Sequence, residues 1–146
     1  MKHYLSLSVA TMLALSLDSC GSSNELIAFA QLPEPMQQFI NTHFQEKDVR
    51  VIFCEKSIFK TDYQVCLFNA TTIDFDGKGE FRRIEFSKNI TDVDVIPQTV
   101  AGYVAANYPE NRIIEYSLEG KKQYAVLNNN IRLDFDKNGN FLAVGK

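Results

Sequence analysis

The sequence predicts an α+β fold, in which two tandem copies of one unit each consist of a helix followed by four antiparallel strands. An internal repeat, an amphipathic helical stripe in each copy and alternating apolar residues after each stripe support this prediction. The 146 residues are 45% hydrophobic and 23% charged, which is typical of a soluble globular protein. Because one copy of about 55 residues buries little core, we expect the two sheets to join and to share one core.

Each copy of the repeat begins with one predicted helix. Residues 32–44 are echoed by residues 96–108 at a constant offset of 64, and each segment has a proline near its first turn. The apolar residues of each segment follow the i, i+3, i+4, i+8 spacing of one helical face. They are Met36, Phe39, Ile40 and Phe44 in the first copy and Val100, Tyr103, Val104 and Tyr108 in the second.

Four predicted strands follow each helix. In residues 131–135 apolar residues alternate with polar ones, which is the period of a strand with one buried face. The predicted strands are residues 49–56, 63–68, 71–75 and 80–86 in the first copy, and residues 112–118, 123–127, 131–135 and 140–144 in the second. We expect each set to form an antiparallel meander.

An Asp-rich turn closes each copy, and residues 133–141 repeat an earlier segment at an offset of 60. Asp134, Asp136 and Asn138 occupy the first, third and fifth positions of an EF-hand calcium loop, with a glycine at the sixth. The match ends there, because position twelve is Gly145 where the ion needs a bidentate glutamate. A β-turn with a left-handed glycine is therefore expected, and a weak, open calcium site is the alternative.

The N-terminus resembles an export signal. Lys2 and His3 precede an apolar run over residues 5–17, which is too short for a membrane span of about 20 residues. A leucine three positions before Cys20, a serine directly before it and a polar segment after it resemble a bacterial lipobox. In proteins with this motif the cysteine is acylated on its sulfur and becomes the first residue of the mature chain. The resemblance implies a lipoprotein that is attached to the cell envelope through Cys20.

Two features of the sequence allow an alternative cleavage site for the export signal. Asp18 departs from the small or apolar residue that is usual at its position of the lipobox, and residues 28–30 match the A-x-A pattern of ordinary signal peptidase. Cleavage there would give a soluble periplasmic protein. The expected organisation is a lipoprotein-type signal peptide over residues 1–19, a tether and lead-in over 20–31, a first repeat over 32–90 and a second repeat over 91–146.

The doubled pattern resembles a known family. A Leu-Pro helix start with a Phe-Ile pair, two strands and an Ile-Asp-Phe-Asp-x-x-Gly-x-Phe turn, given twice behind an export signal, is similar to the β-lactamase-inhibitor-like, PepSY-like proteins of Bacteroidetes. The resemblance covers residues 26–146, although Phe81 stands where many members carry tryptophan. It implies a continuous curved antiparallel sheet with both helices on one face and the opposite face available for binding.

Two cysteines lie in the first predicted repeat. Cys54 and Cys66 are equidistant from Lys60, so a hairpin that turned at Lys60 would place them directly opposite each other. In an oxidising periplasm such a pair can form a cross-strand disulfide. Two free thiols packed in the sheet are the alternative, and the spacing does not distinguish between them.

The same register would make both faces of the first hairpin apolar. Ile52 would lie opposite Phe68 on the face of the cysteines, whereas Val65 would point the other way. The second apolar face is either covered by residues 26–29, which we favour, or exposed to a partner. The candidate partner-binding residues are Ile52, Ile58, Phe59 and Phe68.

The residue inventory argues against several classes of function. A formal charge of −3 disfavours a nucleic-acid-binding protein, which normally shows a basic excess. After the export signal the chain has one histidine, His43, and no known catalytic or phosphate-binding motif, so no enzyme is expected.

We therefore expect a non-enzymatic binding module of the cell envelope. It would present a sheet face to an envelope or extracellular protein, for example as an inhibitor, and would touch the membrane only through its lipid anchor. The alternative is a calcium-responsive periplasmic protein that uses the Asp-rich turns. No other cofactor is expected.

Overall fold

The computed structural model describes residues 23–87 and 94–145. The predicted signal peptide and Cys20 fall outside the described residues. Neither helix of the described part of the chain is long and apolar enough to cross a membrane. In chain order the elements are β1 (Ser23–Leu26), α1 (Glu34–His43), β2 (Val49–Lys56), β3 (Thr61–Leu67), β4 (Thr72–Asp76), β5 (Phe81–Glu85), α2 (Gln98–Asn107), β6 (Ile113–Glu119), β7 (Lys122–Leu127), β8 (Arg132–Asp136) and β9 (Phe141–Val144).

Both helices begin after a proline and bury the predicted apolar stripe. Pro33 and Pro97 are the N-cap residues, and their carbonyl oxygens accept hydrogen bonds from main-chain N–H groups of the first helical turn. The fixed backbone angle of proline suits this position, where the missing N–H group has no helical partner to lose. The buried helical residues are Met36 and Ile40 in α1 and Val100 and Val104 in α2.

The nine strands form one antiparallel sheet whose spatial order is the order of the chain. Four strands follow each helix, and β5 joins β6 through three residue pairs, from Arg83 opposite Ser117 to Glu85 opposite Glu115. Apolar residues of both helices and of strands β2 to β8 form one hydrophobic core. The structure therefore confirms the α+β class.

The aromatic residues of the two helices make similar contacts with the sheet. Phe39 in α1 meets Phe75 edge-on at 5.2 Å between ring centroids and stacks on Phe81 at 5.1 Å. The ring contacts of α2 are Tyr103 with Phe135, edge-on at 5.5 Å, and Tyr103 with Phe141, stacked at 4.6 Å. Each helix is thus fixed to the strands that follow it by a three-ring cluster.

The prediction that residues 26–29 cover the second apolar face of the first hairpin is wrong for Leu26, whereas Ile27 and Phe29 are partly buried against the hydrophobic core. The strand β1 instead pairs with the outer edge of β2, with Ser23 opposite Lys56 and Leu26 opposite Phe53. The side chain of Leu26 is 67% exposed. Pairing satisfies the main-chain N–H and C=O groups along the edge of β2, which covering a side-chain face would leave unpaired.

The predicted register of the first hairpin is also wrong. The turn is Ser57–Lys60, closed by a hydrogen bond from the Ser57 N–H group to the Lys60 carbonyl (2.8 Å), and its centre lies before Lys60. Ile52 is therefore opposite Val65, not Phe68, and both Ile52 and Val65 are buried under the helices. Since side chains alternate between faces along a strand, this shift moves the predicted apolar pairs to different faces.

Candidate functional site

The helices cover one face of the sheet, and we call the opposite face the free face. One row of cross-strand partners runs across it from β2 to β8. Because directly paired residues project from the same face, the whole row lies on the free face. The row consists of Phe53, Gln64, Asp74, Arg83, Ser117, Tyr124 and Asp134.

Arg83 lies at the centre of a charge network on the free face. Its guanidinium holds Glu115 through Nε (2.8 Å to Oε1) and Nη2 (2.9 Å to Oε2), and Nη2 also donates to Glu85 at 2.9 Å. A carboxylate oxygen of Asp74 lies 3.5 Å from Nη1. The hydrogen bond to Glu115 raises the pKa of Arg83 above its ordinary value.

This network lies at the junction of β5 and β6. Glu85 and Glu115 are directly opposite each other there, and two like charges in that position repel. The guanidinium of Arg83 contacts both carboxylates and offsets the repulsion. The residue therefore connects the two halves of the sheet on the side away from the helices.

A β-bulge brings a second arginine beside Arg83. The register of β4 and β5 shifts between Asp74 and Phe75, so Arg82 has no direct partner in β4. The guanidinium of Arg82 donates to a carboxylate oxygen of Asp76. As a result, β5 presents two adjacent arginines near the free face instead of one.

Two depressions open on the free face and share Asp74 and Arg82 in their walls. The first, of about 560 Å³, lies over β2 to β5, and its walls include Phe53, Glu55, Asp62 and Gln64. The second, of about 530 Å³, lies over the junction of β5 and β6, and its walls include Arg83, Glu115, Ser117 and Glu119. Together they form one groove that has charged residues along its length and the aromatic residues Phe53, Tyr63 and Phe75 in its first depression.

The two aspartates of the predicted calcium site, Asp134 and Asp136, already accept hydrogen bonds within the protein. Asp134 accepts a hydrogen bond from Arg132 Nε (2.9 Å), and Asp136 Oδ1 accepts from the main-chain N–H groups of Asn138 (2.8 Å) and Asn140 (2.9 Å). Gly139 has a φ of +83°, as expected for the β-turn. Within residues 23–87 and 94–145, no group of three or more acidic, histidine or cysteine side chains is arranged to hold a metal ion.

Hydrogen bonds lower the pKa of both turn aspartates. For Asp136, the donors are chiefly the side chain and the main-chain N–H group of Asn140. For Asp76, partial burial acts to raise the pKa, but hydrogen bonds from Glu80 and Arg82 outweigh it and the pKa is lowered. Both groups are therefore held as carboxylates, because only the charged form accepts all of these bonds.

Of the two alternatives for Cys54 and Cys66, the structure has the free thiols and not the disulfide. Cys54 is buried under the helices, whereas Cys66 lies opposite Val51 on the free face, and both thiols are free. The turn at Ser57–Lys60 accounts for this, because its register gives the two cysteines different faces. Burial, together with the nearby charge of Asp74, raises the pKa of the Cys66 thiol.

The four predicted partner-binding residues fall into two groups. Ile52 is only 2% exposed and lies in the core, so its assignment to a partner surface is wrong. Ile58 and Phe59 at the tip of the β2–β3 hairpin are 72% and 96% exposed, and Phe68 at the other end of β3 is 70% exposed. Partner binding by these three residues stays a prediction.

The chain matches one family model. The model described as "Putative beta-lactamase-inhibitor-like, PepSY-like" aligns with residues 61–143, which is more than half of the chain. The chain belongs to this family. The resemblance expected from the doubled sequence pattern is thereby confirmed, and the description of the PepSY-like family is inhibitor-like. A comparison with curated proteins finds no match for this PepSY-like chain.

Solved structures share the fold of the PepSY-like chain. A "putative calcium-regulated periplasmic protein" from Bacteroides thetaiotaomicron is 27% identical, with a TM-score of 0.76 over 84% of this chain and 97% of that chain. A "putative periplasmic protein" from Bacteroides vulgatus is 28% identical, with a TM-score of 0.72 over 84% and 97% of the two chains. A second protein from that organism, also described as periplasmic and of unknown function, is 28% identical, with a TM-score of 0.74 over 85% and 100%.

The charge network of this PepSY-like chain was not predicted from its sequence. Arg82 and Arg83 are adjacent within a strand whose other residues alternate, and this is a sign of a β-bulge that could have been noticed. The partner Glu115 carries no such sign. It lies 32 residues from Arg83, and their contact depends on how β5 pairs with β6.

Proposed function

We propose that this protein is a non-enzymatic binding module of the cell envelope that holds a protein partner on its free face. The groove over β2 to β6 carries the proposal, because its walls include the exposed Phe53 in one depression, Arg83 in the other and Arg82 in both. Aromatic and arginine side chains supply much of the binding energy at protein interfaces. Leu26, opposite Phe53 and 67% exposed, extends the apolar end of the groove.

The charges of the groove favour a partner segment with a basic surface. Its walls contain five acidic side chains and three basic ones. The acidic residues are Glu55, Asp62, Asp74, Glu115 and Glu119, and the basic residues are Lys60, Arg82 and Arg83. Complementary charge of this kind selects partners and increases the rate of association more than it adds affinity.

Site-specific photocrosslinking tests this function. A photoreactive residue at Gln64, on the free face, should capture a protein in envelope extracts, whereas the same residue at Thr42, on the exposed side of α1, should not. The Phe53→Asp variant should abolish the Gln64 adduct, and Leu142→Asp, at an exposed apolar residue of β9 outside the groove, should leave it unchanged. Equal adducts from Gln64 and Thr42 would contradict the proposal.

A calcium-responsive role is the second candidate. The solved relative from B. thetaiotaomicron, described as calcium-regulated, favours it, and so do the two exposed turns built on Asp76 and Asp136. Calcium would have to compete with the hydrogen bonds that these carboxylates accept. Calorimetry with millimolar calcium, with Asp76→Asn and Asp136→Asn as controls, decides the matter, and an absence of heat contradicts it.

We also propose that the two halves of the sheet are copies of one helix-plus-four-strand unit. Gly79 and Gly139 have φ values of +82° and +83°, and Ala70 and Asn130 share a φ of +66°. These pairs all have the offset of 60 that the Asp-rich turns have. The matching strain at non-glycine positions supports a common origin, because such backbone angles are uncommon.

Envelope attachment through Cys20 is the third part of the proposal. The polar tether after Cys20 and the description of the solved relatives as periplasmic support it. The intact mass of the mature protein tests the anchor. A diacyl adduct on Cys20 is the expected result, and a chain that begins at Gln31 would show that the protein is soluble instead.

A further inference from the structure

We propose that the tip of the β2–β3 hairpin, formed by Ile58 and Phe59, inserts into the lipid surface to which the chain is attached. The proposal rests on the envelope anchor at Cys20 proposed above. It assigns the tip to lipid and leaves the free face to the protein partner. Four features of the described residues support it.

The first feature is the exposure of the tip. Ile58 is 72% exposed and Phe59 is 96% exposed, and the two residues are adjacent in a tight turn. Two neighbouring large apolar side chains gain free energy when they leave water, and the acyl region of a bilayer offers that transfer. The turn is closed by reciprocal hydrogen bonds between Ser57 and Lys60, so the tip is held in shape before it meets a surface.

The second feature is the length of the hairpin. Val49 and its partner Leu67 enclose 19 residues, counting both ends, whereas the equivalent pair of β6 and β7, Ile113 and Leu127, encloses 15. The four additional residues divide into one in each strand and two in the turn. They account for the change of offset from 64 to 60 between the two halves. At about 3.3 Å per strand residue, they carry the tip beyond the position of its counterpart.

The counterpart turn differs in chemistry as well as in length. It consists of Gly120 and Lys121 and contains no apolar side chain. Its glycine has a φ of +59°, which makes a compact two-residue turn. The additional length of the first hairpin is therefore accompanied by the two apolar residues that a membrane contact requires.

The third feature is the position of the N-terminus. Ser23 lies opposite Lys56, the last residue of β2 before the tip. Cys20 precedes Ser23 by three residues, and a chain of that length spans at most about 11 Å. Acyl chains on Cys20 would thus enter the bilayer beside Ile58 and Phe59, and both groups would share one lipid surface.

The fourth feature is charge compensation around the tip. The amine of Lys56 pairs with Glu25 at 3.0 Å, and the amine of Lys60 pairs with Asp62 at 2.7 Å. An unpaired charge loses hydration when it approaches an apolar phase, and pairing reduces that cost. The two lysines that flank the apolar residues are therefore paired, and Glu55, opposite Asp62 and further from the tip, is the nearby carboxylate for which the described residues show no ion pair.

Tryptophan fluorescence provides a direct test, because the chain contains no tryptophan. Phe59→Trp places a single reporter at the tip, and Phe68→Trp places a matched one at an exposed aromatic at the other end of β3. The mature, acylated protein is reconstituted into vesicles of phosphatidylethanolamine and phosphatidylglycerol, with and without bromine on the acyl chains. We expect blue-shifted emission and about twofold or greater quenching by bromine for Phe59→Trp, and neither effect for Phe68→Trp.

Emission from Phe59→Trp that stays solvent-like in these vesicles would overturn the proposal. Emission that shifts only when envelope protein is added would also overturn it, because the tip would then contact a protein. The intact mass reports acylation of Cys20 independently. If that mass shows an unacylated chain, vesicles added to the soluble protein still test the tip: quenching supports insertion, and its absence excludes it.

Discussion

The two halves of the sheet have the same Asp-rich turns, but their free faces carry different side chains. Strands β4 and β5 enclose the Asp76 turn and β8 and β9 enclose the Asp136 turn, with the same hydrogen bonds to main-chain N–H groups and glycine φ values of +82° and +83°. The free faces differ, because β5 presents Arg82 and Arg83 whereas the equivalent residues of β9 are Leu142 and Ala143.

This difference separates structural residues from candidate functional ones. The turn aspartates and glycines determine the path of the backbone, so a replacement in either half would disturb the fold. The arginines of β5 and the additional length of the β2–β3 hairpin are not repeated in the second half, so the helix-plus-four-strand unit does not require them. We infer that binding is concentrated in the first half of the sheet.

The largest expected effect tests whether the halves share one core. Phe75→Ala and Phe135→Ala each remove a fully buried ring that packs against its helix, and each should lower the free energy of unfolding by about 3–5 kcal/mol. Urea unfolding followed by circular dichroism should show a single transition for both variants. Two separate transitions would contradict a shared core.

Replacement of the turn glycines by alanine should lower the free energy of unfolding by a smaller amount that differs between positions. A Cβ atom on Gly139 would lie 2.7 Å from Thr99 Cβ, and one on Gly79 would lie 3.0 Å from Met36 Cγ and 3.1 Å from Pro33 Cβ. Gly120 also has a positive φ, but nothing lies within 4 Å of its added Cβ.

Thermal unfolding should therefore rank the alanine variants. Gly120→Ala should cost about 1 kcal/mol through backbone strain alone. Gly79→Ala should cost more, and Gly139→Ala should cost most, because Thr99 Cβ moves only with its helix. An equal cost at all three positions would mean that strain, not crowding, sets the penalty.

The junction of the two halves should respond weakly and in a salt-dependent way. Arg83→Met removes the cation between Glu85 and Glu115 and should destabilise the fold by about 1 kcal/mol or less, since the side chain of Arg83 is 38% exposed. The loss should shrink at high salt and in the double variant with Glu85→Gln. The control Arg132→Met removes an arginine that pairs with Asp134 away from the junction, and its loss should not depend on Glu85.

The smallest expected effect is on the stability of the protein at acidic pH. Because the pKa values of Asp76 and Asp136 are lower in the folded chain than their ordinary value of 3.8, the folded state binds fewer protons there than the unfolded state. Their contribution to stability is therefore complete above that value and is lost as the pH falls through the folded pKa. Asp76→Asn and Asp136→Asn should flatten the decline of the melting temperature below about pH 4. If the melting temperature of the variants declined below pH 4 as it does in the unmodified protein, these carboxylates would not contribute to the pH dependence of stability.

Local signals in the sequence were sufficient for most of the elements. The helices follow from the spacing of Met36, Phe39 and Ile40 after a proline, and the Asp-x-x-Gly turns follow from side-chain and backbone preferences that act within a few residues. Such preferences depend little on the rest of the chain. The strands could be predicted in the same way, because the alternation of apolar and polar residues is also a local signal.

Register and long-range contacts could not be read in the same way. The residues Ser57–Lys60 allow several turn centres, and a shift of the turn by one or two positions separated the two cysteines and buried Ile52. The contact of Arg83 with Glu115 depends on the pairing of β5 with β6, two strands that α2 separates in the sequence. The strand β1 was not predicted because it depends on the open edge of β2. These features arise from tertiary structure.

The order of strands in the sheet has a consequence for how the chain folds. Every strand pairs with its neighbour in sequence, so most pairing steps close a loop of only a few residues. The pairings of β1 with β2 and of β5 with β6 are the exceptions, because each must close over a segment that contains a helix. The segment between β5 and β6 is the longer of the two. A chain emerging from the ribosome can thus complete its first five strands before the second helix is made, and the closure that joins β6 to β5 is the expected slow step.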